Sequence, residues 1–257
     1  MRRLAGLFAL ICVVWLCTPV RAEKIIFVAP EFPPQIVRTP SVPLGATGAA
    51  VDIIAEAMRR AKIDFELKTV PWSRAMYLVK NGGADAIVNI YWTQERSEIF
   101  DFCTHEMFYD HVYFFTTDPS LKWNGDMRSL AGKTVGVILS YSYGPIVDEA
   151  LHSGLFPRQI EMYTLAELME SVASGRVQVA PLERDVATYL AEQAGFLDKL
   201  RALGPVGDKI PSYVAFSRLA DLTEVREKLD KVLLQMHHDG TIDSIIEKYY
   251  RKVNAGS

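Results

Sequence analysis

The hydrophobic pattern along the first half of the chain predicts strands that alternate with helices. Short runs rich in β-branched and apolar residues have strand character, and they lie at 24–29, 65–70 and 84–90. Helices are predicted between them, at 52–61 and 73–80. The apolar positions of the first helix, with the i, i+3, i+4, i+7 spacing of one buried face, are Val51, Ile54, Ala55 and Met58. Asp52 stands at the predicted start of that helix and is interpreted as its cap.

The second half repeats the scheme. Strands are predicted at 133–138, 159–163 and 177–181, with helices at 142–152 and 165–173. Two further helices end the chain, one over 222–237 and one from Gly240 to about Arg251. Strands joined by helices of about ten residues favour a parallel α/β sheet in each half.

Two short aromatic runs of β type indicate how the halves connect. They are Val112–Thr116 and Tyr213–Ser217. If both cross between lobes, lobe 1 holds residues 23–115 and 212–257, and lobe 2 holds residues 116–211. Two crossovers beside a cleft form a hinge. A ligand is then expected between the lobes, near the carboxyl ends of the strands.

The first 22 residues have the features of a secretory signal. Arg2 and Arg3 precede an apolar run of about 14 residues, and small residues stand before a predicted cleavage after Ala22. Removing residues 1–22 leaves 25 Lys and Arg against 31 Asp and Glu, so the formal net charge moves from −3 to −6. We therefore expect an acidic periplasmic protein with no affinity for nucleic acid.

The cysteines agree with an exported, unanchored chain. Cys12 and Cys17 leave with the signal, and neither follows the small residue that a bacterial lipidation site requires. Cys103 then remains alone, either as a reactive thiol or, as we expect, as a small buried apolar residue. No later apolar run approaches the ~20 residues of a membrane-spanning helix.

Enzyme signatures are absent from the sequence. It contains no G-x-G-x-x-G, no G-x-S-x-G and no Walker loop, and its 5 His show no metal-ligand spacing. We therefore expect no cofactor and no metal site, and the chemistry has to come from another kind of site.

Several segments, in their order, resemble one family of binding proteins. They are residues 85–102 with the T-x-x-R of Thr93–Arg96, Leu130–Val137, Ser174–Val177, and Gly240–Ile242 with Lys248-Tyr249. Together they resemble the family 3 extracellular solute-binding proteins, the polar amino-acid receptors of bacterial ABC importers, over residues 23–252. The resemblance implies a two-lobe α/β fold of the periplasmic-binding-protein type II class, with two mixed sheets flanked by helices and two hinge crossovers.

The resemblance also implies a function and partners. The protein is expected to be a monomer that binds a small zwitterion, such as an amino acid, and delivers it to an ABC importer permease or to a sensor receptor. In this family the Arg of T-x-x-R binds the ligand α-carboxylate, and that position is Arg96. A planar guanidinium suits two parallel bonds to a carboxylate. The alternative is a surface Arg paired with Glu95 or Glu98.

Other expected ligand-binding residues follow from the same resemblance. Positions seven and five residues before Arg96 are Asn89 and Tyr91, although a small hydroxyl residue is usual in place of Tyr91. Phe32 and Trp72 match the aromatic residues that enclose the ligand side chain, with core packing as the alternative for each.

Lobe 2 is expected to supply an acid and a turn. The family's acid for the α-ammonium falls on Glu183, with Asp185 as the alternative, and Gln178 stands where the family has Asp. The turn after Val137 is expected to bring its polar residues opposite Arg96, and these are Ser140, Tyr141 and Ser142.

Two other functions use the same fold. A cyclohexadienyl-dehydratase-like enzyme requires an acid in the cleft, for which Glu183 is the candidate. An orphan sensing module binds its ligand but signals to a receptor. We expect a binding protein rather than an enzyme.

Overall fold

The computed structural model describes residues 24–255, so the predicted signal peptide at 1–22 lies outside the described residues. The strands are β1 (Ile25–Ala29), β2 (Val37–Arg38), β3 (Ala46–Thr47), β4 (Phe65–Thr69), β5 (Ala86–Tyr91), β6 (Phe100–Phe102), β7 (Phe108–Asp110), β8 (Val112–Thr116), β9 (Thr134–Ile138), β10 (Arg158–Met162), β11 (Ala180–Glu183), β12 (Arg201–Pro205) and β13 (Ile210–Ser217). The helices are α1 (Ala49–Ala61), α2 (Trp72–Lys80), α3 (Gln94–Ile99), α4 (Pro145–His152), α5 (Leu165–Ala173), α6 (Arg184–Gln193), α7 (Thr223–His238) and α8 (Thr241–Ala255). Within this described range, no helix is both long enough and apolar enough to cross a membrane.

One sheet of six strands organises the first and last parts of the chain. Its order is β4-β1-β5-β13-β6, and β7 also pairs with β13. β1 is parallel to β4 and β5, whereas β13 is antiparallel to β5, β6 and β7. The sheet is therefore mixed, and the simpler expectation of a parallel sheet is wrong here because β13 returns from the other half of the chain. We call residues 24–110 and 210–255 lobe 1.

The middle of the chain forms a second group of strands. β9 pairs with β10 in parallel, and β8 lies between β11 and β12 in antiparallel pairing. A single bridge between Val135 and Val179 joins the two pairings. We call residues 112–205 lobe 2.

The chain passes between the lobes twice, through short segments. His111 alone separates β7 from β8, and residues 206–209 separate β12 from β13. The chain thus passes from one sheet to the other within a few residues of the lobe boundaries expected at 115/116 and 211/212. That these boundaries separate two folding units stays a prediction.

The core of lobe 1 lies between the sheet and its helices. Phe27 on β1 and Phe216 on β13 are buried and meet edge to face with ring centroids 6.1 Å apart. Cys103 lies in the same core at 2% exposure. Burial raises the pKa of its thiol, so Cys103 is a small apolar core residue, as expected, and not a thiolate nucleophile.

The start of α1 shows that Asp52 is not the cap of this helix. The helix begins at Ala49 after Gly48, which has no side chain to cap it and has a φ of 134°. Asp52 lies inside the first turn, and its Oδ2 accepts from Lys248 Nζ at 2.8 Å and from the Tyr249 hydroxyl at 3.0 Å. Asp52 therefore joins α1 to α8 and is not a cap.

We expect Asp52→Ala to lower the free energy of unfolding by about 1 kcal/mol, because it removes a half-exposed ion pair and a charge-assisted hydrogen bond. Urea unfolding measures the change. Asp64→Ala, at an exposed position before β4, serves as the control with a smaller effect. Equal effects of the two substitutions would show that the α1–α8 contact contributes nothing.

Some elements follow the sequence pattern and others depend on pairing. Helix α5 spans the predicted residues 165–173 and begins at a capping box of Thr164 and Glu167. β12 was not predicted, because Gly204 and Pro205 interrupt its strand pattern. Helix α6 was also missed, and it starts directly after β11 without a turn signal.

Candidate functional site

A cavity between the lobes gathers most of the predicted site residues. It is lined by Pro30, Phe32, Trp72, Asn89, Tyr91 and Arg96 of lobe 1 and by Tyr141, Ser142, Tyr143, Leu182 and Glu183 of lobe 2. Of the nine residues predicted to bind a ligand, only Ser140 is outside this lining. The cavity encloses about 30 Å³, which is room for one or two water molecules.

Strand ends position the lining residues. Pro30 follows β1, and Asn89 and Tyr91 lie in the last half of β5. From lobe 2, Glu183 is the last residue of β11, and the segment 140–143 follows β9. Because the carboxyl ends of these strands face the gap between lobes, polar side chains from distant parts of the chain meet there.

Arg96 presents a buried guanidinium to the cavity. Arg96 lies in helix α3, and the Thr93 side chain caps this helix by accepting from Arg96 N at 3.1 Å. Nη1 donates to the Tyr91 carbonyl at 2.9 Å and Nη2 donates to the Ser140 carbonyl at 3.0 Å. Burial lowers the pKa of Arg96 to about 10, so the side chain stays charged at neutral pH.

The charge of Arg96 has no direct acidic partner among residues 24–255. Neither Glu95 nor Glu98 forms an ion pair with it, so the alternative of a paired surface Arg is wrong. The side chain is only 7% exposed. A buried guanidinium bonded to carbonyl oxygens retains N–H donors for an anion.

The Trp72 ring packs against Arg96 between the two lobes. The guanidinium carbon lies 5.0 Å from the Trp72 ring centroid, and Trp72 Nε1 donates to the Ser140 carbonyl at 3.0 Å. Trp72 also meets Tyr141 of lobe 2 edge to face, with centroids 5.1 Å apart. Trp72 thus contacts both lobes and lines the cavity.

The turn after β9 lies opposite Arg96, as expected. Ser140 has a φ of 63°, a left-handed conformation that a non-glycine residue adopts at a free-energy cost of about 1 kcal/mol. Its carbonyl oxygen accepts from Arg96 Nη2. The Ser142 hydroxyl donates to Asp148 Oδ2 at 2.5 Å, so it ties the turn to α4.

Asn89 lies at an irregularity in β5. Its neighbour strand β13 pairs Tyr213 with Ile90 and Val214 with Val88, so Asn89 is an extra residue in the ladder. Its φ is 64°, and its Oδ1 accepts from the Ser212 hydroxyl at 2.5 Å. Bulges of this kind redirect a side chain beside a functional site, and here the residue lines the cavity.

Glu183 and the Tyr91 hydroxyl form the opposite end of the cavity, and a second acid, Asp110, lies behind them. The Tyr91 hydroxyl contacts Glu183 Oε1 and lies 3.1 Å from Asp110 Oδ2. Glu183 and Asp110 are 6% and 5% exposed. Burial raises the pKa of Glu183, and the charge of Asp110 raises it further. Glu183 Oε2 is buried without a hydrogen-bond partner among the described residues.

Tyr91 separates the two ends of the cavity. Its backbone carbonyl accepts from Arg96, and its hydroxyl contacts Glu183. A buried cation and a buried acid thus lie on either side of one residue. A zwitterion provides a carboxylate for the first and an ammonium group for the second.

The structure also shows where Asp185 and Gln178, the other two residues considered in lobe 2, lie relative to the cavity. Asp185 lies in the first turn of α6 and is outside the cavity lining, so Glu183 is the acid that faces the cavity. Gln178 accepts from Thr134 N at 2.9 Å and joins two lobe 2 segments. No group of His, Cys, Asp or Glu within residues 24–255 is arranged to hold a metal ion.

Sequence reasoning missed Asp110 and Tyr143. Tyr143 is 4% exposed, and its hydroxyl accepts from Ile138 N at 2.7 Å. Asp110 is the last residue of β7 and reaches the site only because β7 pairs with β13. A charged residue at the end of an aromatic run was the available signal, but nothing in the sequence placed it beside Glu183.

The fold and the cavity define a two-lobe α/β binding protein of the periplasmic-binding-protein type. The chain belongs to the bacterial extracellular solute-binding proteins, family 3, whose profile matches residues 13–252. The family consists of binding proteins, in agreement with the expectation that the chain is not an enzyme.

Individual relatives give the same result. The amino-acid-binding protein AabA of Dichelobacter nodosus is 27% identical over 206 residues, which cover 79% of each chain. An ancestral arginine-binding protein bound to arginine has a TM-score of 0.74 at 22% identity, over 89% of this chain and 99% of that one. A histidine kinase sensor domain has a TM-score of 0.77 at 18% identity, over 88% and 96%. The two structures show the fold.

Proposed function

We propose that this protein captures an amino acid or a close derivative between its lobes, with the ligand carboxylate on Arg96 and the ammonium group on Glu183. The observation that carries the proposal is the burial of the Arg96 guanidinium and the Glu183 carboxyl group on either side of Tyr91. Neither group forms an ion pair among the described residues. A zwitterion satisfies both when the lobes close, and each loses its water at that step.

Lobe closure is part of the proposed function. The cavity residues come from both lobes, and the contacts of Trp72 and Arg96 with Ser140 cross between them. A ligand that touches both lobes favours the closed arrangement, since the open one offers only part of the contacts. Phe32, Trp72 and Tyr141 then enclose the ligand side chain.

The proposed site of action is the periplasm, after removal of residues 1–22. The partner is an ABC importer permease that receives the ligand, or a sensor receptor that responds to the closed lobes. The family profile supports an extracellular binding role. Co-purification of the protein with a candidate permease, in the presence and absence of its ligand, distinguishes the two partners.

A thermal-shift panel tests the proposal directly. The twenty L-amino acids, ornithine, L-cystine, polyamines and dicarboxylic acids serve as probes, because a ligand that binds only the folded state raises Tm. We expect at least one L-amino acid to raise Tm. A panel in which no amino acid does so contradicts the proposal.

We expect Glu183→Gln to weaken binding of the selected amino acid about 10- to 100-fold, because it replaces a charge-assisted bond to the ammonium group by a neutral one. Isothermal calorimetry measures the affinity. Asp185→Asn is the matched control and is expected to change the affinity less than threefold, an estimate that follows from its position outside the cavity. The reverse order of effects moves the ammonium site to Asp185.

A further inference from the structure

The Tyr91 hydroxyl contacts two acids, and the number of protons in these contacts decides which of them are hydrogen bonds. The phenol oxygen lies within hydrogen-bond distance of both Asp110 and Glu183. A phenol carries one proton, so it donates to only one carboxylate. The second contact is a hydrogen bond only if the other acid is protonated and donates to the phenol oxygen.

The surroundings favour such a proton. Burial raises the pKa of Asp110 to about 7, and the charge of Asp185 on α6 adds to the effect. Neither acid has a cationic partner among the described residues. The other titratable side chains that face the two acids, or adjoin them in the chain, are Tyr141 and Tyr143 after β9, Asp185 and Arg184 on α6, and His111 between β7 and β8.

We propose that Asp110, Tyr91 and Glu183 form a chain that holds a shared proton behind the ligand cavity, and that the capture of a ligand ammonium group at Glu183 displaces this proton. Asp110 does not line the cavity. It is therefore a positioning residue that acts through Tyr91. The inference rests on the proposed function, which places the ammonium group at Glu183.

The exchange of one cation for another balances in charge and in hydrogen bonds. An ammonium group brings three donors and reaches Glu183, whose Oε2 has no other partner among residues 24–255. Glu183 then accepts from the ligand, and the Tyr91 hydroxyl donates to an ionised Asp110. No carboxyl proton is required, so it leaves to solvent.

The direction of the pH dependence follows. The bound form holds fewer protons than the free form, so affinity rises with pH while the free form is protonated. We expect the affinity to rise with pH, by up to about tenfold per pH unit, over the range in which the free form holds the shared proton.

Asp110→Asn separates this role from a structural one. The amide has the shape of the acid and donates to the phenol oxygen without a titratable proton. The Tyr91 hydroxyl is then free to donate to an ionised Glu183. The variant is expected to bind the amino acid but to lose the coupling to pH.

Isothermal calorimetry in two buffers of different ionisation enthalpy counts the protons released on binding. The probe is the L-amino acid that gives the largest rise in Tm in the panel above, at pH 6 and pH 8. We expect the wild type to release about one proton at pH 6 and fewer at pH 8, whereas Asp110→Asn releases almost none at either pH. His111→Gln, the control for a titrating neighbour, is expected to release as many protons as the wild type.

The outcomes distinguish the two proposals. If no amino acid binds, the proposed function fails and this inference fails with it. If the wild type binds an amino acid at pH 6 without proton release, the function stands and the proton chain is wrong. If Asp110→Asn releases as many protons as the wild type, the proton chain is also wrong. If proton release is lost only in His111→Gln, the proton belongs to His111. If Asp110→Asn does not fold, the pH slope of the wild-type affinity decides alone.

Discussion

Arg96→Ala is expected to weaken amino-acid binding by about 2–5 kcal/mol, the usual effect of leaving a buried ligand carboxylate without its charged partner. Within lobe 1 the guanidinium is held by the Tyr91 carbonyl and by the Trp72 ring, so these contacts fix its position before the lobes close on a ligand. Little side-chain entropy is then lost on binding, which makes the whole interaction available to the ligand. Isothermal calorimetry with the amino acid selected by the thermal panel measures the loss.

Two further variants sharpen this prediction. Arg96→Lys keeps the charge but loses the planar pair of donors, so an intermediate loss of affinity is expected. Arg74→Ala removes an exposed Arg of the same lobe that lies 5.3 Å from the Tyr77 ring and is expected to leave the affinity unchanged. Urea unfolding of Arg96→Ala checks that the variant is folded, and wild-type affinity in a folded Arg96→Ala contradicts the carboxylate assignment.

The sequence predicted the elements whose patterns are local. Helix α5 matches because its apolar spacing and its capping box agree. β11 is shifted relative to the predicted 177–181, because its register is set by antiparallel pairing with β8, in which Pro181 faces Phe114. The antiparallel direction of β13 also depends on the return from lobe 2. Pairing partners far apart in sequence therefore explain most of the differences.

In the site, too, some residues could be predicted from the sequence and others depend on contacts between distant segments. Arg96 and Glu183 were predicted from the resemblance to the family, through its T-x-x-R motif and its Gly-Arg segment, and the structure brings both to one cavity. Their roles in binding stay predictions. The bulge at Asn89 and the left-handed Ser140 carry no sequence signal comparable to a glycine. The sequence did not place Asp110 beside Glu183, because β7 and β11 belong to different lobes and meet the same phenol only in the folded protein.

The second large effect concerns stability. We expect Asp110→Asn to stabilise the ligand-free protein relative to the wild type at pH 8 and to change its stability little at pH 4. Burial raises the pKa of Asp110 from 3.8 to about 7, so between these values the folded state binds more protons than the unfolded state. Wild-type stability therefore falls as pH rises through this window, and an Asn at this position does not titrate.

The size of this effect follows from the pKa difference, at about 1.4 kcal/mol per unit. We expect the gain from Asp110→Asn to grow by on the order of 2–4 kcal/mol between pH 4 and pH 8, measured as the difference in urea-unfolding free energy between variant and wild type. Asp221→Asn, at an exposed position, is the control with a flat difference. Because this measurement needs no ligand, it tests the buried acid independently of the amino-acid assignment. A flat difference for Asp110→Asn would mean that Asp110 is ionised in the folded protein at pH 4, so that Tyr91 donates to it and the shared proton lies on Glu183.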